Sequence, residues 1–246
     1  MMILDKEVLN VLDESTIYDM VLRLPDYKID RKLYLKVNKV LQALGGKWNR
    51  KKKGFLFDGD PTDKFDAMVQ SGKVVDPKKF YQFFETPITL VDEMMVFANV
   101  QPGEKVLEPS AGKGAIADKV RALEANVVCA ELNPEMIELL VGKGYSVLSG
   151  DFMGMTYEIP YDKVVMNPPF SRQQDIDHIK HAFDFLKPGG ILVSVVSEGP
   201  FFRTNKKAKA FREWLDKQDH EIRVLPEGTF KTSGTGVNTR LIKIIK

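Results

Sequence analysis

From Lys105 onward, short apolar runs alternate with longer polar stretches of helical spacing. KVLE (105–108), NVVCAE (126–131), YSVLS (145–149), DKVVMN (162–167) and ILVSVVS (191–197) are brief, apolar and bounded by turn residues, which predicts buried strands. Residues 114–123 and 173–186 predict helices between them, the second stopped at LKPGG by Pro188 and Gly189. Pro134 stands where the first turn of another helix begins. In residues 205–218 an apolar set at Ala208, Phe211, Trp214 and Leu215 predicts one more amphipathic helix. EIRVL (221–225) and TRLIKII (239–245) predict two closing strands. Alternating strands and helices imply a mostly parallel sheet covered on both faces. The last two strands are joined through KTSGTGVN (231–238) without a helix, so they pair antiparallel.

Before about residue 85 the pattern changes. Residues 32–44 predict an amphipathic helix ended by Gly45 and Gly46. Trp48 and Phe55, Leu56 and Phe57 flank the basic turn NRKKKG (49–54), which predicts a short β-hairpin. The chain thus divides into a small α+β module, residues 1–80, and an α/β domain, residues 81–246.

Charge sharpens this division. Residues 1–85 carry a net +3, residues 86–198 a net −7 and residues 199–246 a net +6. Within residues 28–53, 10 basic residues face a single acid, Asp30. Such a concentration suits a polyanion through counterion release, or else is a solvated lysine-rich face. No apolar run approaches the roughly 18 residues of a membrane span, and the N-terminus lacks the order of a signal peptide. The single cysteine, Cys129, lies in an apolar strand and reads as inert core. These features suggest a cytoplasmic protein, with no membrane or metal partner. His178 and His181, spaced i, i+3 without a third ligand, read as a surface pair.

Four motifs stand at predicted strand ends, where open α/β sheets bind ligands. Glu108-Pro109-Ser110-Ala111-Gly112-Lys113-Gly114 is a strand–loop–helix turn whose glycines let backbone approach a ligand. It is no phosphate-binding P-loop, because Gly114 follows Lys113 where Ser or Thr is needed. Glu131, followed by Leu132, can accept hydrogen bonds from the hydroxyls of a ribose. Asp151 can accept from an adenine amine, with Phe152 packing on the ring; the alternative is an Asp-capped turn. Asn167-Pro168-Pro169-Phe170 is the most specific. Its prolines stiffen a backbone that would hold the Asn167 amide oxygen and the Pro168 carbonyl as two acceptors for one planar amine. Such acceptors free the nitrogen lone pair for attack on a methyl group, by positioning and electrostatics. Phe170 offers a stacking surface for a base taken out of its duplex.

Over residues 80–246 this ordered set resembles the S-adenosylmethionine-dependent amino-methyltransferases, especially small DNA adenine N6-methyltransferases with the cofactor motifs first. The resemblance implies a Rossmann-like seven-stranded methyltransferase sheet, mostly parallel with an antiparallel C-terminal hairpin, and S-adenosylmethionine as cofactor. Phe84, Thr86 and Pro87 match its Phe-x-Thr-Pro element, which implies contacts to the methionine end of the cofactor. Glu108, Pro109, Ser110, Ala111, Gly112 and Gly114 match its cofactor loop, Glu131 and Leu132 its ribose site, and Asp151 and Phe152 its adenine site. Asn167, Pro168, Pro169 and Phe170 match its catalytic tetrapeptide, Asn167 bordering cofactor and target alike, and Phe230 is placed to flank the target base. The aromatic run Phe80, Tyr81, Phe83 and Phe84 reads as packing under the cofactor, with direct nucleic-acid stacking as the alternative. Lys47, Trp48, Arg50, Lys51, Lys52 and Lys53 are the candidate nucleic-acid contacts of the first module. DNA is favoured over RNA as partner. Protein glutamine, which also presents a planar amine, and a non-catalytic binding module are the remaining alternatives.

Overall fold

The computed structural model describes residues 2–74, 84–156, 160–231 and 236–246. Phe80, Tyr81 and Phe83 of the aromatic run, and residues 232–235 of the last connection, lie outside the described residues. The chain forms two compact units, Met1–Tyr81 and Gln82–Lys246.

The first unit packs helices on a small antiparallel sheet. Strands β2 (Thr16–Tyr18), β3 (Val21–Arg23), β4 (Lys47–Asn49) and β5 (Gly54–Leu56) are ordered β2-β3-β5-β4. A separate ribbon pairs β1 (Met2–Ile3) with β6 (Lys73–Val74). Helices α1 (Lys6–Asp13), α2 (Arg31–Ala43) and α3 (Thr62–Ser71) supply Val8, Leu12, Val37, Leu41 and Phe65 to a core completed by Leu22 and Phe55. Capping fixes where α2 begins, since the Asp30 carboxylate accepts from Lys32 N–H at 2.8 Å. The hairpin β4–β5 spans the predicted basic turn, with Trp48 opposite Phe55.

The second unit carries a seven-stranded sheet in the order β12-β13-β11-β10-β7-β8-β9. The strands are β7 (Lys105–Pro109), β8 (Asn126–Glu131), β9 (Ser146–Ser149), β10 (Tyr161–Met166), β11 (Leu186–Ser197), β12 (Asp219–Val224) and β13 (Thr239–Ile245). β9, β8, β7, β10 and β11 run parallel, and the β12–β13 hairpin joins β11 antiparallel. This is the α/β, Rossmann-like, mostly parallel sheet with an antiparallel C-terminal hairpin that the hydrophobic pattern and the resemblance imply. Helices α4 (Ile88–Ala98), α5 (Ala115–Ala122), α6 (Pro134–Gly142), α7 (Gln174–Asp184), α8 (Gly199–Phe202) and α9 (Lys206–Leu215) connect or cover it. One core joins α4 to Val106, Val165, Val193 and Leu241 of the sheet. Another joins α7 and α9 to Leu107, Val164, Leu192 and Ile242.

Two local readings need correction. Residues 173–186 do not remain helical up to Pro188: α7 ends at Asp184, and Leu186 already pairs with Tyr161 in the sheet. The register then shifts before Lys163 meets Ile191, so Pro188 and Gly189 form an irregularity at the start of a strand rather than a helix stop. His178 is also not a surface residue, being only 7% exposed beneath Phe152.

Candidate active site

Five parallel strands end along one edge of the sheet, and each motif follows one of those ends. After β7 the backbone turns through left-handed conformations at Ser110 (φ 59°), Gly112 (φ 55°) and Gly114 (φ 81°). A Cβ on Gly114 would stand 2.8 Å from Leu140 Cδ2, so that glycine lets α5 approach α6. Ala111 N–H donates to Ala130 O at 3.0 Å, tying the loop to β8. Glu108, beneath the loop, is 2% exposed, and its Oε2 has no hydrogen-bond partner. Burial holds its carboxyl well above the usual carboxylate range, against an opposing hydrogen bond from the Ala117 backbone.

Glu131 ends β8 and organises this loop. Its Oε2 accepts from Gly112 N–H at 2.7 Å, and its Oε1 from Leu132 N–H at 2.9 Å and Asn133 N–H at 2.7 Å. A carboxylate offers about four acceptor positions, so donors from a ligand can still be received. Leu132 beside it is exposed. Asn133 caps α6 by accepting from Glu135 N–H at 3.0 Å, an interaction typically worth about 1 kcal/mol.

After β9, Asp151 Oδ1 accepts from Met153 N–H at 3.0 Å. The capped-turn reading is therefore realised, while the other oxygen makes no such bond among the described residues. Phe152 is buried in the core, its ring 4.9 Å from His181, 5.1 Å from Phe185 and 5.9 Å from His178. Burial lowers the His178 pKa to about 4, with Asp151 and Asp177 pulling the other way. His178 Nδ1 and His181 Nε2 are buried without partners. A polar-looking helix sequence concealed this: both histidines lie on the face of α7 that meets Phe152.

The corner after β10 is built differently. Asn167 Nδ2 donates to Phe84 O at 3.2 Å and to Thr86 Oγ1 at 3.1 Å. Both amide hydrogens are thereby engaged, and Asn167 Oδ1 is left buried with no donor. Thr86 is 8% exposed, and what its hydroxyl meets here is the Asn167 amide. Nothing local in sequence announces a partnership across 81 residues. Pro168 is buried, and Pro169 and Phe170 are half-buried. The reading of Phe230 as a flank for the target base is corrected. Its ring is 0% exposed in the core, edge-on to Phe170 with centroids 6.4 Å apart, so it supports Phe170 from behind.

Asp175, which sequence reasoning missed, fixes the neighbouring strand end. It is fully buried and accepts from Ser197 N–H at 3.0 Å and Ser197 Oγ at 2.6 Å. Burial raises its pKa despite those bonds. Ser197, Phe84 and Phe170 share a cavity of about 430 Å³, a size typical of small-molecule sites. A hollow of about 760 Å³ places Thr86 and Pro87 beside Lys113 and Ala115 of the loop. Its lysines are ion-paired: Lys113 with Glu85, Lys119 with Asp92 and Lys143 with Asp118.

In the first unit, Trp48 is 47% exposed and edge-on to Phe55, with centroids 5.3 Å apart. Arg50, Lys51, Lys52 and Lys53 are exposed. The turn is held by Asn49 Oδ1, which accepts from Lys52 N–H at 3.0 Å, and by Lys52 O, which accepts from Arg23 Nε at 3.3 Å. Lys47 lies 3.4 Å from Asp58. Among the described residues no group of three metal-ligating side chains is assembled, and no helix is long and apolar enough to cross a membrane.

No protein-family model matches the chain. A probable ribosomal RNA small subunit methyltransferase A of Methanosarcina acetivorans is 28% identical over 102 residues, covering 39% of this chain and 38% of that protein. The protein of the same description from Methanosarcina mazei is 26% identical over 111 residues, covering 42% and 41%. The match thus spans about two fifths of the length of these curated relatives. Among solved structures, the type I restriction enzyme EcoKI M protein is similar with a TM-score of 0.55 and 18% identity, covering 99% of this chain and 58% of that one. TrmN from Thermus thermophilus is similar with a TM-score of 0.51 and 19% identity, covering 71% and 54%. These likenesses show the fold alone, a Rossmann-like α/β sheet.

Proposed function

We propose that the chain transfers a methyl group from S-adenosylmethionine to the exocyclic amine of adenine in nucleic acid, with DNA as the favoured substrate. The observation that carries this reading is Asn167, whose amide hydrogens are both used internally while Oδ1 is buried without a donor. An unsatisfied buried acceptor costs about 1–3 kcal/mol. A substrate N–H relieves that cost, so the corner favours a ligand bearing a planar amine. When bound, the cofactor supplies a methyl group activated on a sulfonium.

The chain's own residues do the rest. Glu131 and the Pro109–Gly114 loop hold the nucleoside and methionine parts, and Asp151 and Leu132 border the adenine. Phe84, Thr86 and Pro87 close the loop side. Asn167 Oδ1 and the Pro168 carbonyl accept the two amine hydrogens, which directs the nitrogen lone pair toward the methyl carbon. With the methyl donor held there, the amine would be methylated with loss of one of its protons to solvent. Phe170, backed by Phe230, takes the face of the target base. The fit of the cofactor rests on chain features: a loop with three left-handed residues, an acid at the next strand end and an orphaned acceptor beyond.

RNA is the second reading, supported by the ribosomal RNA methyltransferase description of the Methanosarcina relatives. DNA is favoured by the Phe-x-Thr-Pro element ahead of the first strand of the sheet. The first module, with its exposed basic hairpin, is assigned a supporting grip on nucleic-acid phosphates. Incubation with labelled S-adenosylmethionine and separate DNA, RNA and protein pools, followed by nucleoside analysis, tests the reading. Label in N6-methyladenine from the DNA pool is expected; label only in protein overturns it, and label only in RNA selects the second reading.

A further inference from the structure

Beside the Asn167 corner, the chain leaves β11 and makes a tight turn that presents one large aromatic to solvent. Phe202, at the end of α8, is 68% exposed. Its neighbour Phe201 faces inward, against Phe211 at 6.4 Å and beneath the Arg240 guanidinium at 4.3 Å. The turn is firmly tied. Arg240 forks onto Glu198 with two bonds of 2.9 Å, and Glu198 N–H donates to Asn238 O at 3.1 Å. Arg212 Nη1 donates to Pro200 O at 2.6 Å and Arg203 O at 3.1 Å. Phe202 is therefore held outward on a fixed frame.

Phe202 and Arg203 line the same cavity of about 430 Å³ as Phe84, Phe170 and Ser197. The charges around it are unequal. Glu198 is neutralised by Arg240, and Asp177 by Lys207. Arg203 lies against the bare face of Gly199, where an added Cβ would stand 3.1 Å from its Nε, and its guanidinium forms no ion pair among the described residues. Arg172, Lys206 and Lys209 are exposed, again without an ion pair among the described residues. The cations that line the cavity, Arg172 and Arg203, thus stand beside the exposed ring of Phe202, with half-buried aromatic walls at Phe84 and Phe170. That combination is what a single nucleic-acid strand requires, because bases stack on aromatics while cations follow the phosphates.

We propose that the Phe202–Arg203 corner seats the strand that carries the target: the base next to the target stacks on Phe202, and the phosphate between them lies on Arg203, with Arg172 on the cavity rim. The inference rests on the methyltransferase reading and deepens it, since it names the residues that hold the strand beside the target base.

The test uses the full chain and a fluorescent twelve-nucleotide single-stranded DNA containing adenine, followed by anisotropy across a salt series. Phe202→Ala is expected to weaken binding about ten-fold or more, and Phe202→Trp to restore it. Arg203→Gln is expected to lower the slope of log affinity against log salt by about 0.7, the value for one phosphate neutralised on a single strand. Calorimetric affinity for S-adenosylmethionine and the melting temperature should hold in all three, since both side chains are on the surface. Wild-type affinity and slope in Phe202→Ala and Arg203→Gln overturn the proposal. So does a glutamine-containing unstructured peptide that binds in place of the oligonucleotide and loses affinity in Phe202→Ala. Methyl transfer by the wild-type chain to the same oligonucleotide is scored separately. A failure there bears on the methyltransferase reading, while the binding comparison still decides the corner.

Discussion

Glu131 and Asn167 end neighbouring regions of one sheet, yet their polar atoms are treated in opposite ways. Both Glu131 oxygens already receive backbone N–H groups, from Gly112, Leu132 and Asn133. Asn167 spends its donors on Phe84 and Thr86 and keeps a buried oxygen with nothing to accept. The first arrangement is complete without a ligand: it shapes the loop, and a nucleoside adds to a frame already made. The second is incomplete until an amine arrives. Stability and chemistry are thereby separated along the edge. Removing Glu131 should damage the frame and cofactor binding together, whereas removing Asn167 should damage chemistry first and the frame only through its bonds to Phe84 and Thr86.

The largest expected effect tests the Asn167 side. Asn167→Ala should lower single-turnover methyl transfer on the order of a hundred-fold or more, the scale of losing a preorganised transition-state partner. Cofactor affinity should fall far less, through loss of the Nδ2 bonds to Phe84 and Thr86 alone. Retained activity would erase the contrast between the two residues.

His178 extends the comparison, since it too carries an unpartnered buried atom, but on the Asp151 side of the site. Its pKa lies near 4 when folded, against an ordinary 6.5, because burial disfavours the charged ring. The unfolded chain therefore takes up the proton first as pH falls. The stability held by neutral His178 is complete above about pH 6.5 and lost progressively down to about pH 4, on the order of 3 kcal/mol in all. Glu108 acts in the opposite sense: its raised pKa gives stability below the ordinary carboxylate range that fades as pH rises. The difference between wild type and His178→Phe isolates the histidine. Denaturant melts should show wild type losing stability relative to the variant between those pH values; parallel curves would refute the assignment.

Glu131→Ala comes next. Three N–H groups lose their acceptor, so cofactor affinity should weaken by about 1–3 kcal/mol, with a lower melting temperature. Calorimetry that finds affinity unchanged would make Glu131 purely a loop support. The smallest effect belongs to the first unit. Changing Arg50, Lys51 and Lys52 to Ser should reduce the salt dependence of duplex binding by about 0.9 for each phosphate no longer neutralised, equally for all sequences. Cofactor binding and melting should not move. An unchanged slope would make the hairpin a solvated loop.

What the sequence disclosed follows from how local each signal is. β8 and β13 coincide with the predicted runs NVVCAE and TRLIKII, because unbroken apolar stretches bounded by polar residues are buried strands wherever they fall. Strands of three residues such as β2 and β3 carry no period to read and went unpredicted, as did α1 and α3. Among site residues, the motifs at Glu108–Gly114, Glu131 and Asn167 were visible because each concentrates unusual residue types after an apolar run. Their partnerships were not. The bonds of Asn167 to Thr86 and of Asp175 to Ser197 join residues far apart in sequence. The burial of His178 and Phe230 depends on which helix and sheet faces meet, a tertiary fact that leaves no local trace.

Immediately after Phe170, Arg172 (φ 55°) and Gln173 (φ 58°) are consecutive non-glycine residues in the left-handed region. Each such residue costs roughly 1 kcal/mol or more, a cost that glycine, and in part asparagine, would avoid. The turn that Arg172 and Gln173 make directly follows Phe170 and lines its cavity. Descendant chains that abandon methyl transfer should drift to glycine or asparagine at these two places while their apolar core persists, and chains still under selection for the reaction should keep side chains that strain the turn. Sequencing a lineage after inactivation of Asn167, passaged under selection for solubility alone, would show whether the turn relaxes first.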